Sequence, residues 1–150
     1  MRTSSEYGCY AYFKVTSKQP LAQIAEHFGV EGEDRSWSIG DIRERVPSTQ
    51  YDFSNWKMSS GLKVGMPLDS HLKALWTKME VIRSAVCEIP DEMFGLIQCV
   101  GHFKGNREPF TLSAGHFSTA AYYRLQIDFD FYFDNNFGHE DLGKPYWDWN

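Results

Sequence analysis

The stretch Tyr123–Phe133 constrains this chain most. It reads Tyr-Arg-Leu-Gln-Ile-Asp-Phe-Asp-Phe-Tyr-Phe. Side chains alternate along a strand with period two. Tyr123, Leu125, Ile127, Phe129, Phe131 and Phe133 therefore share one face, and Arg124, Gln126, Asp128, Asp130 and Tyr132 share the other. No helix sorts these residues so cleanly. The pattern predicts a long strand with one side on a core and one side in water.

A core of that kind is within reach. A single domain spanning 1–150 is expected from 150 residues, and a chain of this length buries roughly 70% of its unfolded surface. Hydrophobic residues make up 42% and aromatic residues 16%, which argues against disorder. The net charge is −5 and no Lys/Arg cluster appears, so nucleic acid is not an expected partner. No apolar run has the length of a signal peptide or a membrane span, so no membrane association is expected. Cys9, Cys87 and Cys99 match no zinc or redox spacing and read as buried thiols in a reducing cytosol.

Taken in order, Met1–Glu6 reads as a frayed end. Cys9–Thr16 alternates as a first strand, with Tyr10 and Tyr12 opposite Ala11 and Phe13. Ser17–Pro20 opens a helix with the stripe Leu21, Ile24, Ala25 and Phe28, which Gly29 ends. Glu33–Gly40 suggests a short weak strand carrying Trp37. Asp41–Val46 suggests one helical turn before Pro47, and Tyr51–Ser60 a better strand carrying Trp56. Leu68, Leu72, Leu75, Met79, Ile82 and Val86 recur at helical spacing, with Val81 widening the stripe. Asp69 or Ser70 is placed to cap this helix, which should run to about Glu88.

Phe94–Phe103 is apolar on both sides and suits a covered strand. Lys104–Pro109 is a loop. Ser113 can cap a short helix carrying Phe117 and Ala120, and the long strand follows. Asn135–Asn150 is a tail ending in Tyr146, Trp147 and Trp149. The expected fold is α+β: about five mainly antiparallel strands, helices on one face, and a ferredoxin-like core with an added helix and strand.

Candidate chemistry is sparse. The five histidines lack the spacing of a zinc helix; His102 and His116 would meet only if their strand and helix pack together. Ser59-Ser60-Gly61 lacks the frame of a nucleophile elbow. No basic neighbour in sequence marks a reactive thiol. Catalytic, cofactor-binding and metal residues are therefore expected to be none, and cofactors none. Asp128 and Asp130 are either an acid–base pair or a wet strand face. Trp37 and Trp56 are core packing or anchors of a surface.

Several segments in this order resemble a known family. They are Tyr10-Ala-Tyr-Phe-Lys-Val15, Ser38-Ile-Gly-Asp41, Trp56-Lys-Met-Ser-Ser60 and the helix start Leu68–Leu75. Cys99-Val-Gly-His-Phe103, Phe110-Thr-Leu-Ser113 and Leu125–Phe133 complete the set. The chain resembles the bacterial domain-of-unknown-function family 4279 from roughly Tyr7 to Phe133. The resemblance implies a small bacterial cytoplasmic protein and supplies no catalytic motif.

Two functions follow as expectations. One is a non-enzymatic protein-interaction protein, by analogy an immunity-type inhibitor that meets a basic toxin through Asp128 and Asp130. The other is a small-molecule binder or enzyme with a pocket between sheet and helices, lined by Tyr10, Tyr12, Trp37 and Trp56. The expected partner or ligand surface is Tyr10, Tyr12, Trp37, Trp56, Asp128 and Asp130.

Overall fold

A computed structural model of the chain describes residues 7–33, 35–103 and 111–133. The end Met1–Glu6, the loop Lys104–Pro109 and the tail Asn135–Asn150 lie outside the described residues. The element order is β1 (Tyr7–Ser17), α1 (Leu21–Phe28), β2 (Ser54–Ser59), α2 (Leu68–Glu80), α3 (Arg83–Cys87), β3 (Met93–Phe103), α4 (Ala114–Tyr122) and β4 (Gln126–Phe133). The strands form one open sheet in the order β2-β1-β3-β4. β1 pairs antiparallel with β2 and β3, while β3 and β4, joined through α4, run parallel.

Four strands stand among the described residues where five were expected, and their order is not that of a ferredoxin-like core. The missing strand is Glu33–Gly40. It contributes only an isolated bridge, Trp37 to Asn55. Several of its other polar groups go to the outer edge of β2. The Glu33 N–H donates to the Lys57 carbonyl at 2.9 Å. The Lys57 N–H donates to Ser36 Oγ at 3.0 Å. The Ser59 N–H donates to the Glu33 carboxylate, and Lys78 Nζ donates to the Ser59 carbonyl at 2.7 Å. An edge strand needs its backbone groups covered, and here irregular backbone and an ion pair do this without a fifth strand. The expected helical turn at Asp41–Val46 is likewise a turn-and-bridge segment, with Ile42 bridged to Gln50.

The core lies between one sheet face and the helices. Phe13, Val15, Trp56, Ile97, Leu72, Leu75 and Met79 are all fully buried in it. Phe13, Phe28 and Trp56 pack ring on ring, with centroids 4.7 to 5.7 Å apart. Gly29 ends α1 at φ 69°, as its lack of a Cβ allows. At Gly101 a Cβ would strike the Phe103 and Phe131 rings, so glycine makes room for that edge-to-face pair.

The long helix expected over Leu68–Glu88 breaks at Val81–Ile82. Ile82 N–H donates back three residues, to the Met79 carbonyl, and the chain restarts as α3. Adjacent β-branched residues fit a regular helix poorly. The tighter step keeps Ile82 and Val86 buried and turns Val81 out, 85% exposed, so Val81 does not widen the stripe. His27 Nε2 and the Ala85 carbonyl, 2.8 Å apart, tie α3 to α1.

β4 also begins later than its pattern suggested. Tyr123 closes α4, and Arg124 takes a left-handed φ of 56° that turns the chain into the sheet. Phe129, expected in the core, is 39% exposed. It points to the helix side, but β4 is the last strand of the sheet order, and α1 and α2 cover β1 and β2 instead. Ile127 and Phe131 are partly buried against the core cluster. Phe129→Ala should therefore cost about 1 kcal/mol, well below the ~3–5 of a buried ring. Urea denaturation checks this. A loss above about 3 kcal/mol would show that the ring is fully covered.

Candidate functional site

The sheet face opposite α1 and α2 collects the polar sides of β1, β2 and β4. Register fixes its rows. Lys57, Lys14, Leu96 and Gln126 lie across the four strands; Ser59, Tyr12, Gln98 and Asp128 form the next row. Tyr10, Val100 and Asp130 follow, then His102 beside Tyr132.

The rings form a continuous band. Lys57 Nζ lies 5.5 Å from the Trp37 ring centroid and 4.9 Å from that of Tyr12. Tyr12 stacks on Tyr10 at 6.1 Å, Tyr10 on His102 at 6.5 Å, and His102 on Tyr132 at 4.9 Å. Tyr132 Oη donates to Asp130 Oδ2 at 2.6 Å. The band is cationic where Lys14 and Lys57 oppose each other and acidic at Asp128 and Asp130, both exposed at the far edge.

This charge layout moves the titration of its members. Burial raises the Tyr12 hydroxyl to about 12, helped by Asp130, Tyr132 and Asp128. Tyr10 is raised further, again by burial first. The hydrogen bond to Asp130 raises Tyr132. Burial lowers Lys57 to about 8, with Lys14 and Arg35 adding like-charge repulsion. The tyrosines are thus neutral at physiological pH, which does not suit them to proton abstraction.

Of the residues expected on a partner surface, Tyr10, Tyr12, Asp128 and Asp130 share this face, and Trp37 stands at its cationic end. Trp56 does not belong with them. It pairs with Val15 on the helix side, is fully buried, and donates Nε1–H to the Val30 carbonyl at 3.1 Å. Tyr10 and Tyr12 point away from the helices, so no single pocket between sheet and helices can be lined by all four. His102 and Tyr132 were missed as members of the band. Tyr132 carried a signal, since it alternates with Asp128 and Asp130 on the polar face of its strand; His102 carried none, because its strand reads as apolar on both sides.

Two buried histidines lie elsewhere. On α2, Asp69 does not cap its own helix, which starts after Pro67. Its Oδ1 accepts the Ser113 N–H at 2.8 Å and lies 2.7 Å from His116 Nε2, while Trp76 Nε1–H donates to His116 Nδ1 at 3.0 Å. The Ser113 N–H, and then His116, hold the Asp69 carboxyl below its ordinary pKa. This set fastens α4 to α2 through His116 and Ala120 rather than Phe117, which is exposed. With both ring nitrogens engaged, His116 is held as a strut. His71 Nδ1 shares a 2.6 Å hydrogen bond with Ser60 Oγ, but both residues are sealed from solvent. His102 and His116 sit on opposite sides of the sheet. Among the described residues no group of three or more His, Cys, Asp or Glu gathers to hold a metal. The three cysteines are free. Cys9 and Cys99 are buried, and burial raises each thiol to about 12. Cys87, expected buried, is exposed at the end of α3.

The structure thus defines an α+β protein with one covered sheet face and one aromatic, bipolar face. The chain belongs to the family described as a domain of unknown function (DUF4279), which matches residues 5–134. No curated protein and no solved structure matches it. Among the described residues no helix is long and apolar enough to cross a membrane.

Proposed function

We propose that this chain is a non-enzymatic binding protein that meets a protein partner through the sheet face opposite α1 and α2. The observation that carries this reading is the β4 edge of this face, where exposed Tyr132, Asp128 and Asp130 lie together and Tyr132 stacks on His102. Stacked rings give rigid contact area that loses little entropy on binding. Carboxylates at the rim steer a basic surface toward them and set register more than they add affinity. The partner fitting this chemistry is a basic protein. An immunity-type inhibitor of a toxin, working in the bacterial cytoplasm, is the biological form we favour.

Capture from lysate of the source cell, followed by kinetics with the captured protein, tests the proposal. Asp128→Asn with Asp130→Asn should leave stability within about 0.5 kcal/mol, because both residues are exposed and the amide oxygen that replaces the Asp130 carboxylate still accepts the Tyr132 hydroxyl. The double variant should associate more slowly, and its on-rate should depend less on salt. An unchanged on-rate and salt slope would remove the acidic edge from the interface. Recovery of a metabolite and no protein would favour the small-molecule reading instead.

A further inference from the structure

The two edges of the sheet are finished differently. The outer edge of β2 is covered: Glu33 N–H donates to the Lys57 carbonyl at 2.9 Å, Lys57 N–H to Ser36 Oγ at 3.0 Å, and Lys78 Nζ to the Ser59 carbonyl at 2.7 Å. Among the described residues β4 is hydrogen-bonded to β3 alone, which leaves its outer edge open. The strand is eight residues long and pairs with β3 without a break in register. Gln126–Phe133 contains no proline, lysine or arginine. An edge strand is ordinarily blunted by a bulge, a proline, a lysine or a covering loop, and among the described residues β4 has none of these.

The two faces of this edge differ in chemistry. On the face opposite α1 and α2, Asp128 and Asp130 are exposed, and among the described residues neither pairs with a cation. On the helix side Phe129 is 39% exposed and Ile127 only partly buried. An added strand sets its side chains directly beside those of β4, with Cβ atoms about 5 Å apart on each face. Cations on one face of the newcomer would neutralise Asp128 and Asp130, and apolar residues on the other would cover Phe129. Charge decides between occupants. A second copy adding its own β4 would bring carboxylates to carboxylates, which is unfavourable across strands. Residues 135–150 hold Glu140, Asp141 and Asp148 against Lys144 alone, so the chain's own end has the wrong sign.

We propose that the outer edge of β4 takes up an extended basic segment of a protein partner as a fifth strand of the sheet. The segment's lysines or arginines lie beside Asp128 and Asp130, and its apolar residues lie over Phe129. Main-chain hydrogen bonds supply the attachment, and the alternating side chains supply the selection. This inference rests on the reading of the chain as a binder of a basic protein and adds how that partner is held. Strand addition demands alternation as well as charge, whereas attraction to an acidic surface demands charge only.

The probe is a capped octapeptide of alternating lysine and valine. One control holds the same residues in two blocks, all lysines before all valines. The other is the alternating peptide methylated at every backbone nitrogen. Fluorescence anisotropy with the full chain reads affinity, and amide hydrogen exchange reads position. The alternating peptide should bind and slow exchange at β4 amides. Both controls should bind more weakly by about tenfold or more, since one lacks sorted faces and the other lacks main-chain donors. Phe129→Lys should weaken the alternating peptide by a similar factor, because a lysine on an edge strand guards it. Unchanged exchange in β3 without peptide shows that this variant is folded. No binding by the alternating peptide, equal binding by the block peptide, or protection absent from β4 would each overturn strand addition. The two readings fail separately. A captured partner slowed by Asp128→Asn with Asp130→Asn, beside equal binding of the alternating and block peptides, would keep the acidic face as the partner surface and remove the fifth strand.

Discussion

Trp56→Ala is expected to destabilise the protein by about 4 kcal/mol, the upper range for removing a buried ring. Three effects add. The indole is fully buried, stacks on Phe28 at 4.7 Å and meets Phe13 edge-on at 5.7 Å, so its loss leaves a cavity inside an aromatic cluster. It also leaves the Val30 carbonyl, which accepts the indole N–H, without that donor. Finally, it unfastens the end of α1 from β2. Against a typical stability of about 5–15 kcal/mol this is a large fraction. Trp56→Phe keeps most of the area and should cost about 1–2 kcal/mol, chiefly the lost hydrogen bond and the smaller ring. Urea unfolding, read as a shift in midpoint at constant slope, separates the two. A loss under about 1.5 kcal/mol for the alanine variant would mean that the loop after α1 collapses into the space.

The second large effect is on acid stability. His71 is fully buried, and Ser60 Oγ holds its Nδ1. Nε2 has no hydrogen-bond partner among the described residues. The Lys63 and Met66 carbonyls favour the charged ring, but burial outweighs them and lowers the pKa from 6.5 to about 4. The unfolded chain therefore binds a proton, between those two values, that the folded chain refuses. Stability contributed by neutral His71 is complete above pH 6.5 and is lost as pH falls toward 4. The loss approaches ~1.4 kcal/mol per pH unit within the window, about 3 kcal/mol in all. His71→Asn retains a polar partner for Ser60 without a titrating group, so its unfolding free energy should change less with pH across the window. Equal pH slopes for variant and parent would show that other groups carry the acid sensitivity.

Much of the covalent pattern translated directly into local structure. Period-two alternation marked β1, β2 and β4 as strands, because a strand has only two faces, and a run apolar on both sides marked β3. The stripe of Leu68, Leu72, Leu75 and Met79, and Gly29 after α1, marked helices and an end for the same local reason. These relations involve residues a few positions apart, and the chain states them openly. They also placed Tyr10, Tyr12, Asp128 and Asp130 on the polar sides of their strands, which is most of the candidate site.

Which face became covered, and by what, was decided only when distant segments met. Trp37 and Trp56 look alike in sequence. The β1–β2 register sends Trp56 under α1 and leaves Trp37 at the rim, stacked on Tyr51. Phe129 alternates as a core residue should, yet lies on the last strand of the sheet order and stays half in water. Asp69 has the position of a cap for α2 and serves Ser113 and His116 across the sequence instead. Glu33 and Lys78, far apart in the chain, together cover Ser59 at the β2 edge. Alternation specifies that a side chain points up or down. Burial depends on the mass that tertiary packing sets above it, and a helix can lie over only the strands its connections let it reach.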